Sequence, residues 1–141
     1  MKQPIIRFSS FILAAGLFSQ VFAEMPPRPD RCPSAAVIKS AGLAYAELDE
    51  GEYTAYQFHN YGTSNIWAFG MTGIHASSTQ EALAIGYQAL ISLNGNPAPI
   101  PVTTENVWAC VYSNGAGLMS LAFTPLPVTR LNKSFKLQSL S

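Results

Sequence analysis

The sequence predicts an α+β domain, an antiparallel sheet of about five strands with one long helix packed on one face and a short N-terminal helix. Short apolar runs rich in tyrosine, tryptophan and leucine are separated by turn residues, which is typical of strands. Residues 78–91 carry a helix-capping pattern followed by a helical apolar stripe. Residues 107–124 read as two further apolar runs around a glycine-rich turn.

The first element is the short helix. Cys32-Pro33-Ser34 begins it, with Pro33 at the first helical position, where its missing N–H costs nothing. Gly42 follows as a C-terminal cap.

Three strands come next. Residues 43–48 and 53–58 form a hairpin in which Gly51 supplies the positive φ of the turn. Residues 66–72 form the third strand. Its alternation places Trp67, Phe69 and Met71 on one face and Ile66, Ala68 and Gly70 on the other.

The long helix begins at Ser78, which with Glu81 fits a capping box. The apolar stripe expected to face the sheet consists of Leu83, Tyr87, Leu90 and Ile91, and it is widened by Ala82, Ile85 and Ala89. Residues 97–106 contain three prolines, which exclude a central strand. Residues 107–124 then supply strands four and five, joined at residues 114–117.

Residues 1–23 have the three parts of a secretory signal peptide. Lys2 and Arg7 are basic, and residues 8–22 are mostly apolar. Val21 and Ala23 occupy the two positions before the cleavage site that signal peptidase recognises. The alternative is an uncleaved membrane anchor, but the apolar stretch is shorter than the ~20 residues of a membrane span. We expect a periplasmic or secreted mature chain without a membrane span. The expected organisation is a signal peptide (residues 1–23), a proline-rich lead (residues 24–31), a single α+β domain (residues 32–127) and a flexible tail (residues 128–141).

The chain contains two cysteines, Cys32 and Cys110. Outside the cytoplasm thiols persist as disulfides, and two cysteines allow one intramolecular pairing. Free thiols and a metal or catalytic role are the alternatives, but the sequence has no CxxC or Cys/His cluster. The predicted disulfide would tie the first helix to the fourth strand.

Charge and motifs exclude several function classes. The signal peptide holds two of the eight Lys and Arg residues and none of the eight Asp and Glu residues, so the mature chain has a formal charge of about −2. Such a chain lacks the basic face that nucleic acid requires. The sequence also has no nucleophile elbow, P-loop, dinucleotide fingerprint or HExxH motif. We therefore expect neither an enzyme nor a metal site.

The remaining candidates for chemistry are two histidines and one acidic run. Four acidic residues lie within residues 47–52, in a pattern that suits a solvated hairpin turn better than a calcium loop. His59 is expected at the end of strand two and His75 after strand three, about 30 Å apart along the chain, so one iron would bind at most one of them. His59, with Tyr61 close by, is the better candidate; an exposed loop position is the alternative for each histidine.

Four motifs lie between residues 32 and 125: Cys32-Pro33 at the head of a helix, Asn60-Tyr-Gly-Thr63 followed by Asn65-Ile-Trp-Ala-Phe69, the helix from Glu81, and Val107-Trp-Ala-Cys-Val-Tyr-Ser113 through Ala122-Phe-Thr-Pro125. With these motifs the chain resembles a family of short exported bacterial proteins of unknown function, some of which are labelled hemin-binding. The resemblance implies the fold and the label, but no set of haem ligands.

Two functions are expected. The first is a secreted or periplasmic binding protein without catalytic activity, with haem or another small apolar molecule as its ligand and His59 or Tyr61 as axial ligand. The second is a secreted module that binds another protein, for example an inhibitor or a host-facing effector, through a sheet face or the loop at Asn60.

Overall fold

The computed structural model describes residues 24–126, which form one antiparallel sheet of six strands with two helices. In chain order the elements are α1 (Ala35–Ala41), β1 (Tyr45–Asp49), β2 (Glu52–His59), β3 (Trp67–Ile74), α2 (Thr79–Ile91), β4 (Ile100–Val102), β5 (Val107–Tyr112) and β6 (Met119–Thr124). The strand order is β1-β2-β3-β6-β5-β4, so two three-stranded meanders meet at the β3–β6 pair. The predicted signal peptide and flexible tail lie outside the described residues.

The prediction of about five strands with one long packed helix is wrong. The sheet has six strands, the helices have only 7 and 13 residues, and the described chain is mostly β. The missed strand is β4, which lies within the proline-rich connection. The three prolines of this connection argued against a central strand. Strand β4 is instead at the edge of the sheet, where Pro101 is tolerated.

The two faces of the sheet have different environments. We call the face that carries both helices the front face and the other the back face. Trp67, Phe69 and Met71 point to the front and are fully buried, while Ala68 and Gly70 point to the back. The alternation predicted for the third strand is therefore confirmed.

Helix α2 packs on β1, β2 and β3 mainly through small residues. Its buried positions are Ala82, Gly86, Ala89 and Leu90. The predicted stripe is thus partly wrong, because Tyr87 and Ile91 are 45% and 68% exposed. A Cβ atom on Gly86 would lie 2.7 Å from Leu43 Cδ1 and 3.2 Å from Ala55 Cβ, so the helix axis sits close to the sheet.

Helix α1 is held to the sheet by a disulfide. Ser34 caps the helix by accepting a hydrogen bond from Val37 N (3.2 Å), so Pro33 precedes the cap rather than occupying the first helical turn. Cys32 and Cys110 are joined, with Cα atoms 5.9 Å apart across 78 residues of sequence. Cys110 lies in β5, the predicted fourth strand, so the predicted disulfide between the first helix and that strand is confirmed.

The proline-rich lead, residues 24–31, is attached to the domain at several points. Trp108 Nε1 donates to the Pro26 carbonyl (2.9 Å), and the Arg28 guanidinium lies 6.0 Å from the centre of the Trp108 ring. Arg31 Nη2 donates to the carbonyl of Gly62 (2.7 Å). The lead therefore belongs to the folded domain.

Candidate functional site

The two predicted haem ligands lie at the last residue of β2, His59, and in the β2–β3 loop that follows it, Tyr61. Tyr61 and Gly62 have φ angles of 51° and 74°, so the chain turns through two successive left-handed residues. His59 Nδ1 accepts a hydrogen bond from Tyr61 N (2.8 Å), and Asn60 Oδ1 accepts one from Gly62 N (2.9 Å). Short polar side chains that bond to their own backbone in this way stabilise the turn.

Thr63 is the centre of the loop's hydrogen-bond network. Its hydroxyl donates to the Asn60 carbonyl (2.8 Å) and accepts from Asn65 N (3.1 Å) and from Trp67 Nε1 (2.8 Å). Trp67 is fully buried, and a buried indole N–H needs an acceptor. The motif that runs from Asn60 to Phe69 thus has a structural explanation, because its polar members bond to one another.

The structure brings His59 and Tyr61 together but places them in different environments. Their ring centres are 4.9 Å apart. His59 is exposed at the end of β2, whereas Tyr61 is only 2% exposed and packs in the core. Burial raises the pKa of Tyr61, which keeps the phenol protonated, and its hydroxyl has no hydrogen-bond partner among the described residues. As haem ligands both residues remain a prediction, and only His59 is accessible to a ligand.

His75 lies at the opposite end of the β2–β3 pair. Its Nε2 is 3.4 Å from Glu52 Oε2, beside the β1–β2 turn, whereas His59 pairs with Trp67 at the other end of the same strands. The two histidines are therefore separated by the length of a strand, as the sequence indicated.

A cleft of about 410 Å³ lies on the back face at the β4 end of the sheet. Ala109 and Leu121 form its nearly buried floor, and the half-exposed side chains of Ile100 and Val111 form its walls. The cleft was not predicted from the sequence because β4, one of its walls, was not predicted. The apolar residues Ile100 and Val102 alternate on either side of a proline. This short alternation was the one available sequence signal for an edge strand.

The cleft's chemistry is almost entirely apolar. Thr103 and Thr104, at the rim, are the only polar residues among the described side chains that line it. A volume of this size is typical of small-molecule pockets, which are mostly apolar with a few polar groups. The described lining residues include no charged side chain and no histidine, tyrosine, cysteine or methionine, so this part of the cleft suits an uncharged apolar molecule better than a haem iron.

Two features are absent from residues 24–126. No cluster of three or more histidine, cysteine, aspartate or glutamate side chains in this range could hold a metal ion. No helix in it is long and apolar enough to cross a membrane.

The fold and the cleft define a small, β-rich, disulfide-linked domain. The model of a domain family of unknown function (DUF4949) matches residues 31–124, more than half of the chain, and the protein belongs to this family. The matched range includes both cysteines, the loop around Thr63 and all six strands. No curated protein and no solved structure matches the chain.

Proposed function

We propose that this protein is an exported binding protein, without catalytic activity, that holds a small uncharged apolar molecule in the back-face cleft. The cleft itself supports the proposal most strongly, because it combines a suitable volume with a lining of aliphatic side chains. Export is supported by the signal-peptide pattern of residues 1–23 and by the Cys32–Cys110 disulfide, since such bonds persist in oxidising compartments.

Titration of the mature chain, residues 24–141, with the uncharged fluorophore N-phenyl-1-naphthylamine tests the cleft. We expect saturable one-site binding. The Val111→Asp substitution places a carboxylate in the wall of the cleft, so binding should weaken by about tenfold or more, because a charge there would have to be desolvated.

Ile91→Asp is the matched control. It introduces the same charge at an exposed apolar position on α2, away from the cleft, and should leave the affinity unchanged. Binding that does not saturate, or that weakens equally in both variants, would contradict the proposal.

Haem binding at His59 is a second candidate. One observation favours it: His59 is exposed and uses Nδ1 to accept the Tyr61 N–H, which leaves Nε2 as the nitrogen that could face an iron. Titration with hemin should then give a saturable Soret shift that is lost in His59→Ala and kept in Tyr61→Phe. A spectrum unaffected by His59→Ala would exclude this site.

The alternative function, binding of another protein, would use the same loop. Asn60, Gly62 and Ser64 are exposed on a turn whose internal hydrogen bonds fix its shape. If neither the apolar fluorophore nor hemin binds saturably, a pull-down from periplasmic or host extract that compares wild type with Ser64→Arg tests this surface.

A further inference from the structure

The proline-rich lead, residues 24–31, has a sequence that favours a polyproline II helix. It contains three prolines, Pro26, Pro27 and Pro29. A proline ring fixes φ at about −65°, and the residue before a proline is restricted to extended conformations. Each residue from 25 to 29 is itself a proline or precedes one. The local sequence therefore holds this stretch close to the polyproline II region before any tertiary contact forms.

The burial of the lead repeats every three residues. Pro26 is half-buried and both Pro29 and Cys32 are buried, whereas the residues between them are exposed. A polyproline II helix has three residues per turn, so residues at this spacing lie along one of its edges. The burial pattern and the sequence thus agree on a polyproline II segment that turns Pro26 and Pro29 toward the domain.

The front face of β5 receives this segment at Trp108. The Trp108 Nε1 donates to the Pro26 carbonyl (2.9 Å), and the Arg28 guanidinium lies 6.0 Å from the centre of the indole ring. A polyproline II helix has no internal hydrogen bonds, so its carbonyls are open to such a donor. Grooves lined by aromatic side chains are the usual receptors of proline-rich segments. The contacts of the lead with Trp108 are therefore of the kind that binds a proline-rich peptide.

The two ends of the lead are held to different degrees. The Cys32–Cys110 disulfide fixes the chain covalently at the end of the lead. Residues 24–31 are held by the contacts at Trp108 and by the hydrogen bond of Arg31 to the β2–β3 loop, all at exposed or half-buried groups. Release of the lead from Trp108 therefore breaks no strand pairing and leaves Cys32 in place.

We propose that the front-face surface at Trp108 covered by residues 26–29, which we call the proline site, binds a proline-rich segment of another protein, and that the lead fills it until such a segment displaces it. The ligand class follows from the occupant, which turns two prolines at PxxP spacing toward the site and presents a carbonyl to the indole. Attachment at Cys32 gives the lead a high effective concentration, so a competing segment must bind more tightly than the lead or be abundant. The site lies on the face opposite the cleft, and a ligand in one does not require a ligand in the other.

Fluorescence anisotropy of a labelled peptide, measured with the mature chain, tests this assignment. The peptide carries the sequence PPRP between flanking alanines, so that only the proline spacing and one arginine are shared with the lead. Pro29→Asp places a carboxylate at a buried position and should release the lead, because a charge there would have to be desolvated. This variant should bind the peptide saturably and about tenfold or more tightly than the wild type does, because the lead no longer competes.

Pro27→Asp is the matched control. It introduces the same residue at an exposed position of the lead, so the lead should stay in place and the affinity should remain that of the wild type. A peptide with alanine at each proline should bind to none of the proteins. Trp108→Phe, added to the Pro29→Asp variant, keeps an aromatic ring but removes the indole N–H and should weaken binding about fivefold. Circular dichroism confirms that each variant is folded.

NMR of the isotope-labelled wild type tests displacement without any substitution. Excess peptide should move the amide signals of Arg28 and Asp30 to random-coil positions, whereas the amide signal of Gly86 in α2 should not shift. Lead signals that stay in place at saturating peptide, equal affinities of the Pro29→Asp and Pro27→Asp variants, or no saturable binding would overturn the proposal. A wild-type dimer that Pro29→Asp dissociates would assign the site to the lead of a second copy and would also overturn it.

Discussion

A single hydroxyl group, that of Thr63, fixes the conformation of the β2–β3 loop. It links the backbone of the loop to the indole of Trp67, a fully buried side chain on the front face. The Thr63 hydroxyl therefore couples the loop to the core, in addition to the buried side chain of Tyr61.

Replacement of Thr63 by valine should destabilise the protein. Valine has nearly the same shape but leaves the Trp67 N–H buried without an acceptor, at a cost of about 1–3 kcal/mol. Urea unfolding measures the loss. Thr103→Val, the same substitution in an exposed turn, should change stability by less than about 0.5 kcal/mol. Equal losses in the two variants would mean that the hydroxyl does not matter.

The buried tyrosines should make the protein sensitive to alkali. Burial raises the pKa of Tyr61 and, with a smaller contribution from Tyr61 itself, that of Tyr112. A phenol whose pKa is raised in the folded state contributes its full stability below about pH 10, the ordinary tyrosine pKa, and loses it as the pH rises further.

Tyr61→Phe should therefore reduce the loss of stability above about pH 10 and cost little at pH 7, since the Tyr61 hydroxyl has no described hydrogen-bond partner. Free energies of unfolding between pH 7 and pH 11 provide the measurement. An alkaline loss of the same size in this variant would show that Tyr61 titrates normally.

At this scale the sequence predicted the position of His59 but not the environment of Tyr61. His59 was expected at the end of strand two and lies there, whereas the role of either residue as a haem ligand remains a prediction. That Tyr61 turns into the core depends on its positive φ, and a loop has no periodic pattern from which the direction of a side chain can be read.

Among the elements, α2 shows how close packing depends on small residues. Its buried positions are mostly alanine and glycine, and Gly86 faces Leu43 and Ala55 at distances that leave no room for a side chain. The predicted stripe included the buried Ala82, Ala89 and Leu90 but omitted Gly86. It also included the exposed Tyr87 and Ile91, because periodicity identifies apolar positions without indicating how near the helix lies to the sheet.

Gly86→Val should cost about 1–3 kcal/mol, because the new methyl groups would force α2 away from the sheet. Thermal unfolding of the variant measures the effect. Ala84→Val introduces the same residue at an exposed position of α2 and should cost about 0.5 kcal/mol or less. A Gly86 variant as stable as the wild type would show that the interface has free space.

Strand β4 shows which kind of element the sequence does not reveal. Hairpins with clear turn residues were predicted well, as at Gly51, where Glu50 and Gly51 both have positive φ. A three-residue edge strand that contains proline gives almost no sequence signal, yet it forms a wall of the cleft. The main candidate site therefore could not be predicted from sequence.

For the whole molecule, the disulfide links the start of the domain to the far meander. It closes a loop of 78 residues and ties the first helix to β5, on the opposite half of the sheet from β1 and β2. The pairing was predictable because the chain has two cysteines, whereas the topology that brings them together was not.

Cys32→Ala combined with Cys110→Ala should lower the free energy of unfolding by up to about 4–5 kcal/mol, the chain-entropy value for a loop of this length. Guanidinium unfolding of the variant and of the reduced wild type provides the comparison. Val37→Ala, an exposed change on α1, serves as control. If reduction leaves stability unchanged, the disulfide is not a structural support.

Ligand binding in the back-face cleft is tested most directly by NMR of the methyl-labelled mature protein. During titration with N-phenyl-1-naphthylamine, the methyl signals of Ala109, Val111 and Leu121 should shift and saturate together. The methyl signals of Ala82 and Ala89, on the buried side of α2, should not shift. Unmoved cleft signals, or shifts spread over the surface without saturation, would contradict a binding function for this cleft.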